Sequence, residues 1–149
     1  MADTGIEART LRIVREFPVS PTAVFDAWTR PEQLVQWWGP EGMSIPDSEI
    51  DARPGGQYVT TMMNADGERF TVQGRYLTMD RPDHLRFTWA WVHEDGPGHE
   101  TEIDVRFEAS GNGTRMTFVQ QVFAETEHRD NHEGGWNSSF VCLAQFLES

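Results

Sequence analysis

The chain has 149 residues, one cysteine and a formal net charge of −12, and its twelve cationic residues are all arginine. A chain of that length suits one domain, burying roughly 70% of its unfolded surface without a covalent staple. The lone Cys142 excludes an internal disulfide or a thiolate cluster. The acidic balance argues against nucleic acid and anionic membrane as partners.

Met1 to Glu7 is acidic and lacks an apolar core, so it reads as neither a signal peptide nor an anchor. No apolar run approaches the roughly 20 residues of a membrane span. The expected location is the cytoplasm, with residues 1–9 a flexible leader and residues 10–149 a single domain. Thr10 to Val19 alternates, with Leu11, Ile13, Arg15 and Phe17 on one side, and predicts the first strand. Ser20-Pro21 then gives a cap followed by proline at a first helical position. That helix carries Val24, Phe25 and Trp28 inward. Thr29-Arg30-Pro31-Glu32 has capping-box spacing and predicts a restart, carrying Leu34, Val35, Trp37 and Trp38 before Gly39-Pro40 breaks it.

From Met43 the apolar period becomes two. A weak strand runs to Ile50, and Asp51 to Gly56 is a turn. Tyr58, Thr60 and Met62 alternate, Asn64-Ala65-Asp66-Gly67 is a hairpin signal, and Phe70, Val72, Gly74 and Tyr76 alternate again. After Arg81-Pro82-Asp83, Leu85, Phe87, Trp89 and Trp91 place four large apolar groups on one face. His93 to His99 is a polar loop. Ile103, Val105 and Phe107 then oppose a wet face, and Gly111-Asn112-Gly113 turns the chain into Met116, Phe118, Gln120 and Val122.

The last stretch, Gly135 to Ser149, carries Trp136, Phe140, Leu143 and Leu147 at helical spacing. Cys142 within it reads as a small hydrophobe. One-sided strands and a one-sided helix require the helix to lie across an antiparallel sheet. The expected class is α+β: a curved antiparallel sheet of about six to seven strands wrapped round a long C-terminal helix, with two short helices after strand one.

This order resembles the helix-grip fold of START-like lipid-transfer domains, pollen allergens and polyketide cyclases. Several stretches are similar to the branch named after the activator of the heat shock protein 90 ATPase. They are Val24 to Glu32, Trp37-Trp38-Gly39-Pro40, Asp51 to Tyr58, Asp66-Gly67, Gly113 to Phe118, and His132 to Trp136. The resemblance runs from about residue 10 to the end and rests on these motifs occurring in order, since each alone is weak. It implies an apolar pocket between helix and sheet; it does not imply co-chaperone activity, because folds of this kind host unrelated functions.

The candidate ligand-binding set is Trp38, Tyr58, Met62, Phe70, Tyr76, Phe87, Trp89, Trp91, Phe118, Gln120, His132, Trp136 and Phe140. These rings either line a cavity or fill the core completely. Gln120 is the polar interruption on an apolar face and needs partners, from a ligand or from the protein itself. His128 and His132 have metal-ligand spacing, but the sequence implies no third ligand, so neither metal nor cofactor is assigned. A helix unbroken through Gly134-Gly135 would bring His132 near Trp136 as the titratable group of the pocket. Asp51 and Arg53 read as a brace across a turn or as a ligand clamp, and His93, Glu94 and His99 as a solvated loop or a rim. No nucleophile elbow, phosphate loop or Ser-His-Asp order is present, so no catalytic residue is assigned.

The function expected is binding of a small apolar or aromatic molecule, for sequestration, transport or sensing. Two alternatives stay open: a cyclase- or hydrolase-like enzyme using His132 or a loop acid as base, and a protein-interaction module of the chaperone-activator type. A homodimer through a sheet edge or the helix pair is compatible with the pattern, which does not specify it.

Overall fold

The computed structural model describes residues 9–121 and 123–148; residues 1–8 of the expected leader, Val122 of the expected last strand, and Ser149 lie outside them. The elements are β1 (Leu11–Phe17), α1 (Pro21–Thr29), α2 (Pro31–Leu34), β2 (Ser44–Ile50), β3 (Gln57–Met63), β4 (Arg69–Asp80), β5 (His84–His93), β6 (Gly96–Pro97), β7 (Thr101–Ser110), β8 (Gly113–Gln121) and α3 (Thr126–Glu148). The sheet is antiparallel, in the order β1-β8-β7-β5-β4-β3-β2, and the two-residue β6 pairs with β5. A register shift between Tyr76 and Thr78 puts a bulge in β4, a feature that bends a strand and increases local twist.

Ser20 caps α1 through Oγ, which accepts from the Ala23 N–H at 3.2 Å. The predicted capping box at Thr29 does not form. Thr29 is still inside α1, and its buried hydroxyl donates back to the Phe25 carbonyl at 2.9 Å. Arg30 takes the cap position of α2 without a side-chain bond. α2 is a single turn, and the two tryptophans that follow it act as ties. Trp37 Nε1 donates to the Ala27 carbonyl, and Trp38 Nε1 to Thr60 Oγ1, both at 2.9 Å. Arg81, in the β4–β5 turn, clamps α1 through Nε and a terminal nitrogen at 2.9 and 3.0 Å from the two Asp26 oxygens. Those bonds hold the Asp26 carboxyl below the usual carboxylate range.

Alternation places Leu11, Ile13 and Phe17 of β1, Leu85, Phe87 and Trp89 of β5, Ile103, Val105 and Phe107 of β7, and Met116, Phe118 and Gln120 of β8 in one buried layer. Gly74 serves this layer by having no side chain. A Cβ there would lie 1.9 Å from the Thr88 carbonyl oxygen and 2.6 Å from Tyr58 Cε1. The bare backbone lets Tyr58 cross it and donate its hydroxyl to the Thr88 carbonyl at 2.6 Å.

The closing helix begins nine residues before the stretch that its apolar stripe marks, because Thr126 to Gly134 is polar and still helical. Gly134 and Gly135 do not interrupt it, and Asp130 to Glu133 is helix interior and not a cap. Three bonds pin α3 along its flanks. Arg129 Nε donates to the Thr10 carbonyl at 3.2 Å, Arg15 donates to the Asn137 carbonyl at 3.3 Å, and Ser138 Oγ accepts from the Glu41 N–H at 2.9 Å. Trp136, Ser139, Phe140 and Leu143 are the buried residues of its inner face.

Candidate functional site

The two halves of α3 meet the sheet differently. Phe140 and Leu143, in the C-terminal half, are fully buried. The N-terminal half stands off, and a cavity of about 480 Å³ lies between it and the sheet. Its walls come from the α2–β2 loop (Trp38, Gly39, Pro40), the inner faces of β3 and β5 (Met62, Trp89, Trp91), the start of β7 (Thr101), the β8–α3 connection (Phe123, Ala124) and α3 (His128, Asn131, His132, Gly135, Trp136, Ser139), with His93 at the end of β5 and His99 between β6 and β7. The volume falls in the range of small-molecule sites, roughly 300–1,000 Å³.

Trp136 is the centre of the wall. Its ring centroid lies 4.7 Å from that of Phe118, 5.0 Å from Trp89, 5.6 Å from Phe140 and 5.7 Å from Trp38. Its Nε1–H donates to Gln120 Oε1 at 2.8 Å, Gln120 Nε2 donates to Thr101 Oγ1 at 2.8 Å, and the Thr101 hydroxyl donates to the Trp89 carbonyl at 3.3 Å. This relay links α3, β8, β7 and β5 under the cavity. It answers the question that Gln120 raises: both ends of the amide are satisfied within the protein.

The second link is at the opening. Trp91 Nε1–H points at His132 Nε2 at 3.0 Å, and His132 Nδ1 lies 2.7 Å from the His128 carbonyl oxygen. An indole N–H can only donate and a carbonyl can only accept, so the neutral imidazole with its proton on Nδ1 satisfies both. Burial is the main reason that the His132 pKa is lowered, and the His128 ring adds to it; the bond to the His128 carbonyl opposes. Protonation at Nε2 would set N–H against N–H and release Trp91. By contrast Trp89 Nε1 is buried without a hydrogen-bond acceptor among the described residues, although the Trp89 ring is part of the wall.

The family model described as activator of Hsp90 ATPase homolog 1-like protein matches residues 18–148. The chain belongs to that family. Among solved structures it is similar to a crystal structure from Silicibacter pomeroyi, with 34% identity, a TM-score of 0.87, and coverage of 93% of this chain and 97% of the other. A crystal structure from Chromobacterium violaceum is 27% identical with a TM-score of 0.86, over 95% of this chain and 98% of that one. A solution structure from Arthrobacter aurescens is 27% identical with a TM-score of 0.83, over 95% and 87%. A comparison with curated proteins finds no match.

As a member of the Hsp90 ATPase activator homologue family, the chain has the helix-grip architecture that its sequence motifs imply. The chemistry of its cavity has to be read from its own side chains. Of the residues expected to contact a ligand, Trp38, Met62, Trp89, Trp91, His132 and Trp136 line the cavity. Tyr58, Tyr76, Phe87, Phe118, Gln120 and Phe140 are buried but stand outside the lining. Tyr58, Tyr76 and Phe87 pack on one another at 5.6 to 6.0 Å between centroids, closing the far end of the sheet. Phe118 and Phe140 back Trp136 from behind.

Phe70 is a correction. It shares the inward phase of Val72, yet it is 38% exposed and outside the lining, because it sits by the β3–β4 hairpin where the inner layer does not cover it.

The rim histidines His93 and His99 do line the cavity, whereas Glu94 does not. Phe123 belongs to the wall although strand parity from Phe118 and Gln120 would point it outward. The β8 ladder ends at Gln121, and the Phe123 N–H donates to the Arg9 carbonyl at 3.0 Å, so parity no longer applies. Pro40, Thr101, Asn131 and Ser139 carry no sequence signal that would single them out. The Asp51–Arg53 pair, 2.9 Å apart and exposed, is a brace away from the cavity. Among the described residues no group of three His, Cys, Asp or Glu converges as a metal site. Burial, with Glu41 nearby, pushes the Cys142 thiol up, away from nucleophilic use.

Proposed function

We propose that the cavity under the N-terminal half of α3 binds a small apolar or aromatic molecule, and that the protein sequesters, carries or senses that molecule in the cytoplasm. The observation that carries this reading is a gap of about 480 Å³ walled by Trp38, Trp89, Trp91 and Trp136, while Tyr58, Tyr76 and Phe87 close on one another. Burying about 200–300 Å² of apolar ligand surface gives roughly 5–7 kcal/mol at 25 cal/mol per Å². That is the scale of dissociation constants from about 10 to 200 μM before orienting bonds are added. The state of His132 also supports binding over turnover. Both ring nitrogens are engaged, so the best-placed titratable group is not a free base. No helix among the described residues is long and apolar enough to cross a membrane.

The test is a titration of intrinsic tryptophan fluorescence with a panel of mono- and bicyclic aromatic compounds, run on the wild type and on Gly135→Leu. Gly135 lies on the lining, and a Cβ built there meets nothing closer than Pro40 Cγ at 3.9 Å. Leucine there would fill the cavity from the helix side without displacing backbone. Saturable quenching in the wild type, weakened at least about tenfold in Gly135→Leu, is expected. No saturable quenching across the panel, or identical affinities in the two proteins, would remove the binding reading.

A further inference from the structure

The polar part of the lining is unlike the rest of the molecule. The chain has 24 acidic residues, 12 arginines and five histidines. Four of the histidines, His93, His99, His128 and His132, line this one cavity, and no acidic residue or arginine among the described residues does. The fifth, His84, is bonded to Asp104 at 2.9 Å. Imidazoles are therefore the ionisable groups of the lining, and the charge they can add is positive.

Their arrangement separates a dry end from a wet one. Trp38, Met62, Trp89 and Trp136 are buried wall residues, while His93, His99 and His128 are exposed at the mouth. His93 is held there by its own loop. Its ring lies over Gly98, where a Cβ would come within 2.8 Å of Nε2, and the Gly98 N–H donates to the Trp91 carbonyl at 2.7 Å. His132 is already committed to the link between Trp91 and the helix backbone.

From this we infer that the occupant is a planar aromatic molecule bearing a weakly acidic oxygen at one end, of the phenol or aryl carboxylic acid class. Its ring lies against the tryptophans and its oxygen among His93, His99 and His128. This inference rests on the binding reading above. A phenolic or carboxylic oxygen accepts from an imidazole N–H, a phenol also donates to the unprotonated nitrogen, and the anion of either pairs with imidazolium. An unsubstituted hydrocarbon would leave the mouth unused. An organic cation would find no carboxylate in the lining, and the indoles do not form an open cage for it: Trp89 packs on Trp136 and Trp91 at 5.0 and 5.4 Å.

The experiment is isothermal titration at pH 7 with four probes of one shape: naphthalene, 2-naphthol, 2-naphthoate and 2-naphthyl trimethylammonium. It uses the wild type and the double variant His93→Leu/His128→Leu, both substitutions being at exposed positions and checked for folding by circular dichroism. The expected result is that 2-naphthol or 2-naphthoate binds the wild type at least about tenfold more tightly than naphthalene. In the double variant that affinity ratio falls to about one. Equal affinities for the neutral, phenolic and carboxylate probes, preference for the ammonium, or a ratio that survives in the double variant would overturn the inference and leave the cavity reading intact. Absence of binding by all four would sink the cavity reading and this inference with it.

Discussion

Replacing Gln120 with leucine tests whether the relay beneath the cavity is a connected structural network. Gln120 is fully buried, and its neighbours in the relay, Trp136 and Thr101, are each 4% exposed. Leucine has nearly the same bulk, so the change removes hydrogen bonds without opening a large void. It strands the Trp136 Nε1–H, whose acceptor is Gln120 Oε1 at 2.8 Å, and an orphaned buried donor costs about 1–3 kcal/mol. Thr101 loses the incoming bond from Gln120 but keeps its own to the Trp89 carbonyl, a loss of about 0.5–1 kcal/mol. Greater apolar burial by leucine offsets about 1 kcal/mol. The net expectation is destabilisation by about 0.5–3 kcal/mol. Urea unfolding of the wild type, Gln120→Leu, Trp136→Phe and the double variant measures it. Phenylalanine has no N–H to strand, so the double variant should be less destabilised than the sum of the singles by about 1–2 kcal/mol. A Gln120→Leu variant within about 0.5 kcal/mol of the wild type, or a cycle that closes additively, would refute the reasoning.

Other consequences follow from single positions. His132 has a lowered pKa in the fold, so the unfolded chain binds its proton first. The stability it contributes is complete above the ordinary imidazole value of about 6.5 and is lost as pH falls from there through the folded value. The stability difference between wild type and His132→Phe, measured by urea unfolding at pH 7.5 and 5.5, should shrink toward the lower pH; a constant difference would contradict the tautomer assignment. Gly134 is helical and exposed, with nothing within 4 Å of a built Cβ. Gly134→Ala should therefore stabilise the protein by about 0.5–1 kcal/mol in thermal melts, and destabilisation would count against a continuous α3. Gly74→Ala meets backbone at 1.9 Å, so it should destabilise by more than about 2 kcal/mol or prevent folding, whereas a neutral effect would deny the Tyr58 crossing.

The architecture was legible because its signals are local. Period-two runs at Leu85–Trp91 and Ile103–Phe107, turn residues between them, and a helical stripe from Trp136 give the element order without any tertiary knowledge. The start of α3 was not, since Thr126 to Gly134 carries no apolar stripe; that segment is tied down by Arg129 to the Thr10 carbonyl and by His132 to Trp91, contacts between residues far apart in sequence. The candidate site was half legible. Inward phase identifies Trp89 and Trp91 but equally Phe87 and Phe118, and what separates wall from solid core is where α3 stands off. Phase also places Phe70 inside, because alternation reports the face of a strand and not whether anything covers that face. The histidine mouth joins a hairpin loop to the first turns of α3, a juxtaposition that no spacing in the sequence encodes.

The central claim, that the gap under the N-terminal half of α3 is a ligand site, is tested most directly through the indole N–H signals of the six tryptophans in nitrogen-15 NMR, with 2-naphthol added stepwise. Trp38, Trp89, Trp91 and Trp136 line the gap, whereas Trp37 is tied to the Ala27 carbonyl at 2.9 Å and lies outside the lining. Saturable shifts are expected at the four lining indoles, with Trp37 unmoved. Shifts that fail to saturate, or that are as large at Trp37 as at Trp136, would contradict it.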